Sequence, residues 1–285
     1  MSPPGISAFT QALAALRPPC RALMTPHTLV LDAGGGQPPL FEHSSLSAAA
    51  VEEQFSAAVA ALLGLLDKSK VRGRRLQVAI SDQWARPLVL TLPAKPQNDE
   101  AIDALLLGHY RKIYGDLMDN WRWCWSQHGA RLVAVALPAR ALDALQNGLA
   151  QRGCVLSSAR PLGLLLGNQL GNEPGACWLI ISMGLGATLM RLQNGVLQDW
   201  CGLTGAADAS SLAVQLPLQL TREAARRGDS CRTVVIIDFD AVIDLPTVRK
   251  SLLDAGWASR VCTAAELSSA WVWRLRGLAG SQKAI

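Results

Sequence analysis

Charge is scarce in this 285-residue chain. Asp, Glu, Lys and Arg make up 17% of it, against about 25% in an average soluble domain. A low-charge surface arises where a partner covers it, or simply from an Ala/Leu-rich composition, and the sequence leaves both readings open. The formal charge of +5 is carried mainly by arginine and is spread along the chain. That is not the footprint of a dedicated nucleic-acid binder, so no nucleic-acid partner is expected. A run of about 18 apolar residues is also missing, so no transmembrane helix is expected. The start lacks the charged-then-apolar pattern of a signal peptide. None of the seven cysteines forms a C-x-x-C pair, and their number is odd. Several sit in apolar runs, such as Cys154-Val155-Leu156 and Cys177-Trp178-Leu179. They read as buried free thiols of a reducing compartment. The expected location is the cytoplasm, with recruitment by a partner for any work at a membrane.

The common catalytic patterns are absent too. The sequence holds no G-x-x-x-x-G-K-[ST], no G-x-S-x-G and no H-E-x-x-H. His27, His43, His109 and His128 are scattered without metal-ligand spacing, so no metal site is expected.

What is present is alternation of strand and helix patterns. Residues 1–26 carry Pro3, Pro4, Pro18, Pro19 and Pro26 around a short amphipathic stretch, and read as a loosely attached arm. Thr28 to Asp32 reads as a buried strand, followed by a glycine turn and a returning strand at Leu40 to His43. Val51, Phe55, Val59, Leu62, Leu63 and Leu66 recur at helical spacing. The basic cluster Lys68, Lys70, Arg72, Arg74 and Arg75 follows. It is read as a solvated loop, with attraction to anionic lipid or an acidic partner as the functional alternative. Strands are expected at Leu76–Ile80 and Leu88–Leu92. Between 97 and 157 come a helix over 99–117, then Trp121, Trp123 and Trp125 alternating so that they share one sheet face. A strand at 131–137, a helix opened by Pro138 and a short strand at Cys154 complete a small α+β module. The last third restarts with a strand at Cys177–Ile181. A second strand covers Leu185–Leu192 and turns at Asn194-Gly195 into a third. A long helix follows at 208–227, then a central strand at Thr233–Ile237. A helix opened by Asp244 and Pro246, and a final helix after Thr263, end the pattern.

Two glycine turns are the main candidate site. One is Asp32-Ala33-Gly34-Gly35; the other runs from Ser182 through Gly184 and Gly186 to Thr188. Glycine there lets backbone N–H groups approach phosphate oxygens. A carboxylate at the strand end could hold Mg²⁺ through water, and the Thr188 hydroxyl could donate to a phosphate. Two such hairpins across a cleft would grip one nucleotide; the plain alternative is a pair of tight β-turns. Asp238 and Asp240, at the end of a buried strand, read as turn residues.

Taken together, these motifs resemble the PilM family of type IV pilus assembly proteins and the cytoplasmic domain of the type II secretion protein GspL. The resemblance covers roughly 27–265. It is carried best by Arg160 to Gly167 and by Cys177 to Leu197, with Val78 to Asp82 and Leu88 to Pro93 in support. It implies an α/β, actin-like (ribonuclease H-like) two-half fold with an inserted small α+β subdomain. The expected parts are an arm at 1–26, a first half at 27–95, the insert at 96–158 and a second half at 159–285.

The resemblance also implies a non-catalytic cytoplasmic scaffold that binds the cytoplasmic tail of a single-pass inner-membrane protein. An assembly ATPase or platform protein is implied as a further partner, and homodimerisation is left open. Ser182 stands where actin-like ATPases carry Asp, and bulky Phe239 and Val242 fall where the family's glycine pair approaches the adenosine. These departures imply lost ATP turnover and no cofactor. The alternative is an active ATPase or small-molecule kinase with Mg-ATP held at Asp32, Gly34, Gly35, Ser182, Gly184, Gly186 and Thr188.

Overall fold

The computed structural model describes residues 19–34, 38–43, 50–92, 98–170, 175–183, 186–203, 209–239, 243–262 and 264–267. These form two compact units, one from 19–81 and 139–162, the other from 82–138 and 163–267.

The first unit is built on strands β1 (Cys20–Met24), β2 (Thr28–Asp32), β3 (Leu40–His43), β4 (Arg75–Ile80) and β8 (Val155–Pro161), in the order β3-β2-β1-β4-β8. β1 pairs antiparallel with β2 and parallel with β4. It is therefore the central strand, and its buried residues Cys20, Ala22, Leu23 and Met24 lie at the heart of the core. The segment expected as a loose arm thus supplies the middle of a sheet from residue 20 onward; 1–18 lie outside the described residues. Pro19 and Pro26 flank β1, where the missing N–H costs no ladder bond.

Helix α1 (Val51–Lys68) buries Phe55, Ala58, Val59, Leu62, Leu65 and Leu66, one face at spacings of three and four. It packs beside α3 (Ala139–Gln151). A Cβ on Gly148 of α3 would lie 2.5 Å from the Leu63 Cδ1 atom, so the missing side chain sets how closely the helices approach. Gly148→Ile is expected to cost about 1–3 kcal/mol in urea unfolding, with part recovered by adding Leu63→Ala. The basic loop after α1 is partly neutralised: Lys68 pairs with Glu42 at 3.7 Å and Arg72 with Asp67 at 3.7 Å.

The second unit holds two sheets. The larger runs β11 (Val196–Leu203), β10 (Gly186–Gln193), β9 (Ala176–Met183), β12 (Thr233–Asp238), β13 (Ala258–Val261). Its order and directions repeat those of the first unit: first strand antiparallel to the second, second antiparallel to the third, first parallel to the fourth, fourth parallel to the fifth. The Asn194-Gly195 turn forms as expected, with φ of 48° and 74°. Helices α5 (Ala209–Arg226) and α6 (Leu245–Asp254) cover this sheet. Leu212, Leu216, Leu220 and Ala224 from α5 pack with Val248 and Leu252 from α6 against Trp178, Ile180, Val234 and Ile236. Asp244 caps α6 by accepting from the Thr247 N–H at 3.5 Å.

The smaller sheet is β5 (Arg86–Thr91), β7 (Arg131–Pro138), β6 (Trp121–His128), all antiparallel, with α2 (Asp99–Tyr114) as its helix. The insert therefore begins at Asp82 and ends at Pro138. α3 and β8, expected to belong to it, return to the first unit, where β8 pairs with β4. Alternating strands look alike in sequence whichever sheet receives them, so local pattern could not assign β5 and β8. Trp121, Trp123 and Trp125 do share one face: Trp121 is buried and the other two half-buried, while Arg122, Cys124 and Ser126 are exposed. The Trp123 and Trp125 indole N–H groups both donate to Asp103 Oδ1, at 3.1 and 3.2 Å. Along α2, Ile102, Leu106 and Tyr110 are buried, while Leu105 and Ile113 are exposed.

Candidate functional site

The two glycine turns sit at different places in their sheets. Ser182–Gly186 spans the connection of first to second strand, β9 to β10. Asp32-Gly34-Gly35 follows β2 and leads to β3, so it joins second to third strand. The counterpart of Ser182–Gly186 in the first unit is Thr25–Thr28, between β1 and β2. Its local signal is Thr-Pro-His-Thr between two apolar runs.

The Thr25 turn spends its donors on itself. The Thr25 N–H donates to the Thr28 carbonyl at 2.9 Å. The Thr28 N–H donates to Thr25 Oγ1 at 3.0 Å, the His27 N–H to the same oxygen at 3.4 Å, and the Thr25 hydroxyl to the Thr28 carbonyl at 3.2 Å. Pro26 has no N–H to offer. This is a hydroxyl-centred turn, and the Thr25, His27 and Thr28 amides are all engaged within it. The other turn of this unit does likewise: the Gly34 N–H donates to Asp32 Oδ1 at 2.8 Å. Gly34 has a φ of +69°, which glycine adopts without strain. Gly35 lies outside the described residues.

In the second unit the expected phosphate donors are also engaged. A short 3₁₀ turn, Asp82–Trp84, begins the unit. Asp82 is 8% exposed, and its carboxylate accepts from the Thr188 hydroxyl and the Gly163 N–H. The Thr188 hydroxyl donates to Oδ2 at 2.8 Å. The Gly163 N–H, at the start of α4 (Leu162–Gly167), donates to Oδ1 at 2.9 Å and to Oδ2 at 3.1 Å. Gly163 must be glycine, because a Cβ there would lie 2.2 Å from Asp82 Oδ2. The next residue, Gln83, donates from Nε2 to the Met183 carbonyl at 2.6 Å. A Cβ on Gly186 would lie 2.8 Å from that same Nε2, so the glycine makes room for the Gln83 amide. The Ser182 hydroxyl donates to Asp238 Oδ1 at 2.6 Å across the β9–β12 pairing. Asp238, read as a turn residue, is therefore the carboxylate beside Ser182. Phe239 is buried, as a bulky residue on that strand end must be; Gly184, Asp240 and Val242 lie outside the described residues.

The structure thus assembles Ser182, Gly186 and Thr188 around Asp82, Gln83 and Asp238, and separately joins Asp32 to Gly34. Sequence reasoning missed Asp82, Gln83 and Gly163 as a set. Asp82 lies 81 positions from Gly163 and 106 from Thr188, and Gln83 lies 100 from Met183. No local spacing announces such partners. Among the described residues no cluster of three His, Cys, Asp or Glu side chains has metal-binding geometry, and no helix is long and apolar enough to cross a membrane.

No protein-family model and no curated protein sequence matches the chain. Solved structures do. A structure described as the PilM-PilN type IV pilus biogenesis complex superposes at TM-score 0.63 with 15% identity, covering 88% of this chain and 89% of that one. A Bacteroides thetaiotaomicron protein with an actin-like ATPase fold and unknown function superposes at 0.61 with 7% identity, covering 91% and 95%. The cytoplasmic domain of EpsL, an inner membrane component of the Vibrio cholerae type II secretion system, aligns at 0.49, too loosely to bear on function. The fold is actin-like: two sheets of ribonuclease H-like topology plus a small antiparallel sheet.

Proposed function

We propose that this chain is a non-catalytic scaffold of a type IV pilus or type II secretion-like assembly platform. It works in the cytoplasm and is held at the inner membrane by the cytoplasmic tail of a single-pass protein. The observation that carries this reading is the superposition on the PilM-PilN structure over 88% of the chain. An extended tail would gain main-chain hydrogen bonds and side-chain pockets on such a body.

The state of the turns supports the absence of catalysis. A phosphate site needs backbone and hydroxyl donors aimed outward. Here Thr25, Thr188 and Ser182 each direct their hydroxyl to a group of the chain itself. The alternative, Mg-ATP binding, draws on one specific observation, the Asp238 carboxylate beside Ser182 at 2.6 Å.

Two titrations separate them. A synthetic tail peptide of the single-pass protein encoded beside this chain's gene is expected to bind in calorimetry with micromolar affinity, about −8 kcal/mol. Saturating Mg-ATP is expected to leave the melting temperature within about 1 °C, since a ligand that does not bind the native state cannot raise it. A rise of several degrees that Asp238→Asn removes would replace the scaffold reading with the ATPase one. Failure of the tail peptide to bind would end the recruitment model.

A further inference from the structure

A polar pocket of about 330 Å³ opens in the second unit, away from the turns just described. The first residue of β7, the far end of β10, the start of β11 and the turn after α5 line it, and none of its lining side chains is apolar. Such a volume is at the small end for ligand pockets. It suits a small anion or a single acidic side chain.

The donors and acceptors around it do not balance. Arg191 and Asp229 form a closed pair: Arg191 donates from Nε and Nη2 to the two carboxylate oxygens. Asp229 also accepts from the Trp178 indole at 3.0 Å and the Cys231 N–H at 2.9 Å, so it has little capacity left for a ligand. Asp199 is 6% exposed and forms an ion pair with Arg227. A guanidinium carries about five N–H donors and one carboxylate engages at most about two of them. Arg131 stands outside both pairs. Its Nη1 donates to the neutral Thr91 hydroxyl at 2.5 Å, and no carboxylate pairs with it among the described residues. The carboxamides of Gln193 and Gln198 complete the wall. The pocket therefore holds more positive charge than negative and more N–H groups than acceptors. What it lacks is a negatively charged group rich in oxygen.

We infer that this pocket is an anion-binding site for a carboxylate or phosphate head group, anchored by Arg131 and oriented by Gln193 and Gln198. Arg191 with Asp229 forms the rigid floor. The ligand is either a free small anion or an acidic group on a partner protein, since both present the same oxygens. This site is independent of the tail-binding reading above.

Calorimetry of the full chain at low ionic strength tests it with three probes: inorganic phosphate, succinate, and a tetraglutamate peptide blocked at both ends. One-site binding of at least one probe is expected. Arg131→Gln should weaken it about tenfold, the scale of one lost charge-assisted contact. Arg131→Lys should weaken it less, because it keeps the charge and loses the forked geometry. Arg140→Gln, an exposed arginine of the first unit, should leave it unchanged. Binding of phosphate or succinate assigns a free anion; binding of the peptide alone assigns an acidic partner segment. The inference is overturned if no probe binds below about 10 mM. It is also overturned if Arg131→Gln and Arg140→Gln weaken binding equally, which is the mark of diffuse charge. Melting curves of the variants confirm folding, and Arg131→Lys carries the test if Arg131→Gln does not fold.

Discussion

Asp82→Ala is expected to destabilise the protein by about 2–4 kcal/mol, because it strands two buried donors at once. The Gly163 N–H and the Thr188 hydroxyl both lose their acceptor, and neither has water to turn to where Asp82 is 8% exposed. In a chain of this size that is a fall of about 5–10 °C in melting temperature. Asp82→Asn keeps the shape and one accepting oxygen but brings an NH₂ toward a donor, so about half the loss is expected. Gly163→Ala should match Asp82→Ala, since its methyl carbon would sit 2.2 Å from Oδ2 and expel the carboxylate. The double variant should cost clearly less than the sum, because both changes break one network. Additive losses in differential scanning calorimetry would show that Asp82 and Gly163 act separately and share no network.

Asp229→Ala is the second large effect, expected at about 3–5 kcal/mol, the cost of leaving a buried guanidinium without its counter-charge. Arg191 has only 11% of its side chain exposed and gives Asp229 two N–H groups, while Trp178 and Cys231 lose their acceptor as well. Replacing both partners, Arg191→Met with Asp229→Ala, should be milder than Asp229→Ala alone, since no charge is then stranded. The pair also predicts a pH signature. Burial pushes the Asp229 pKa up, but the Arg191 hydrogen bond, the Cys231 N–H, the Arg191 charge and the Trp178 indole together hold it below 3.8. A carboxylate with a depressed folded-state pKa contributes stability that is complete above its unfolded value and fades as pH falls through the folded one. Asp229→Asn should therefore flatten the acid limb of the stability curve below about pH 4. Asp199 works in the opposite sense. Burial raises its pKa despite Arg227, so its contribution is complete below 3.8 and is lost as pH rises through the folded value. An Asp229→Asn acid limb as steep as the wild type would remove Asp229 as a contributor.

Local pattern reached a good part of this fold. The apolar spacing of Phe55, Val59, Leu62 and Leu66 declares α1, the Asn194-Gly195 dipeptide its hairpin, Asp244 with Pro246 the start of α6, and Trp121, Trp123 and Trp125 one sheet face. The continuous β-branched run Thr233–Ile237 declares an interior strand, paired on both sides. Each of these is a statement about neighbours within a few positions, and the preferences of side chain and backbone act at that range. The actin-like duplication could be sensed because two strand-rich blocks, each followed by a long helix, recur in order.

Tertiary structure decided the rest. It made Cys20–Met24 the central strand of a sheet, where sequence pattern suggested a loose arm, because burial of a short strand depends on which neighbours hydrogen-bond to it. It drew the insert's edge at Asp82 and Pro138 by choosing β7 for β5 and β4 for β8. It moved the first-unit counterpart of the Ser182–Gly186 turn from the glycines to Thr25–Thr28. It also gave the hydroxyls of Ser182 and Thr188 to Asp238 and Asp82, and left Arg131, among the described residues, without a counter-charge at the mouth of a polar pocket. Residue types set which donors and charges a chain owns; only the folded chain sets which of them meet, because contacts between residues a hundred positions apart leave no trace in local spacing.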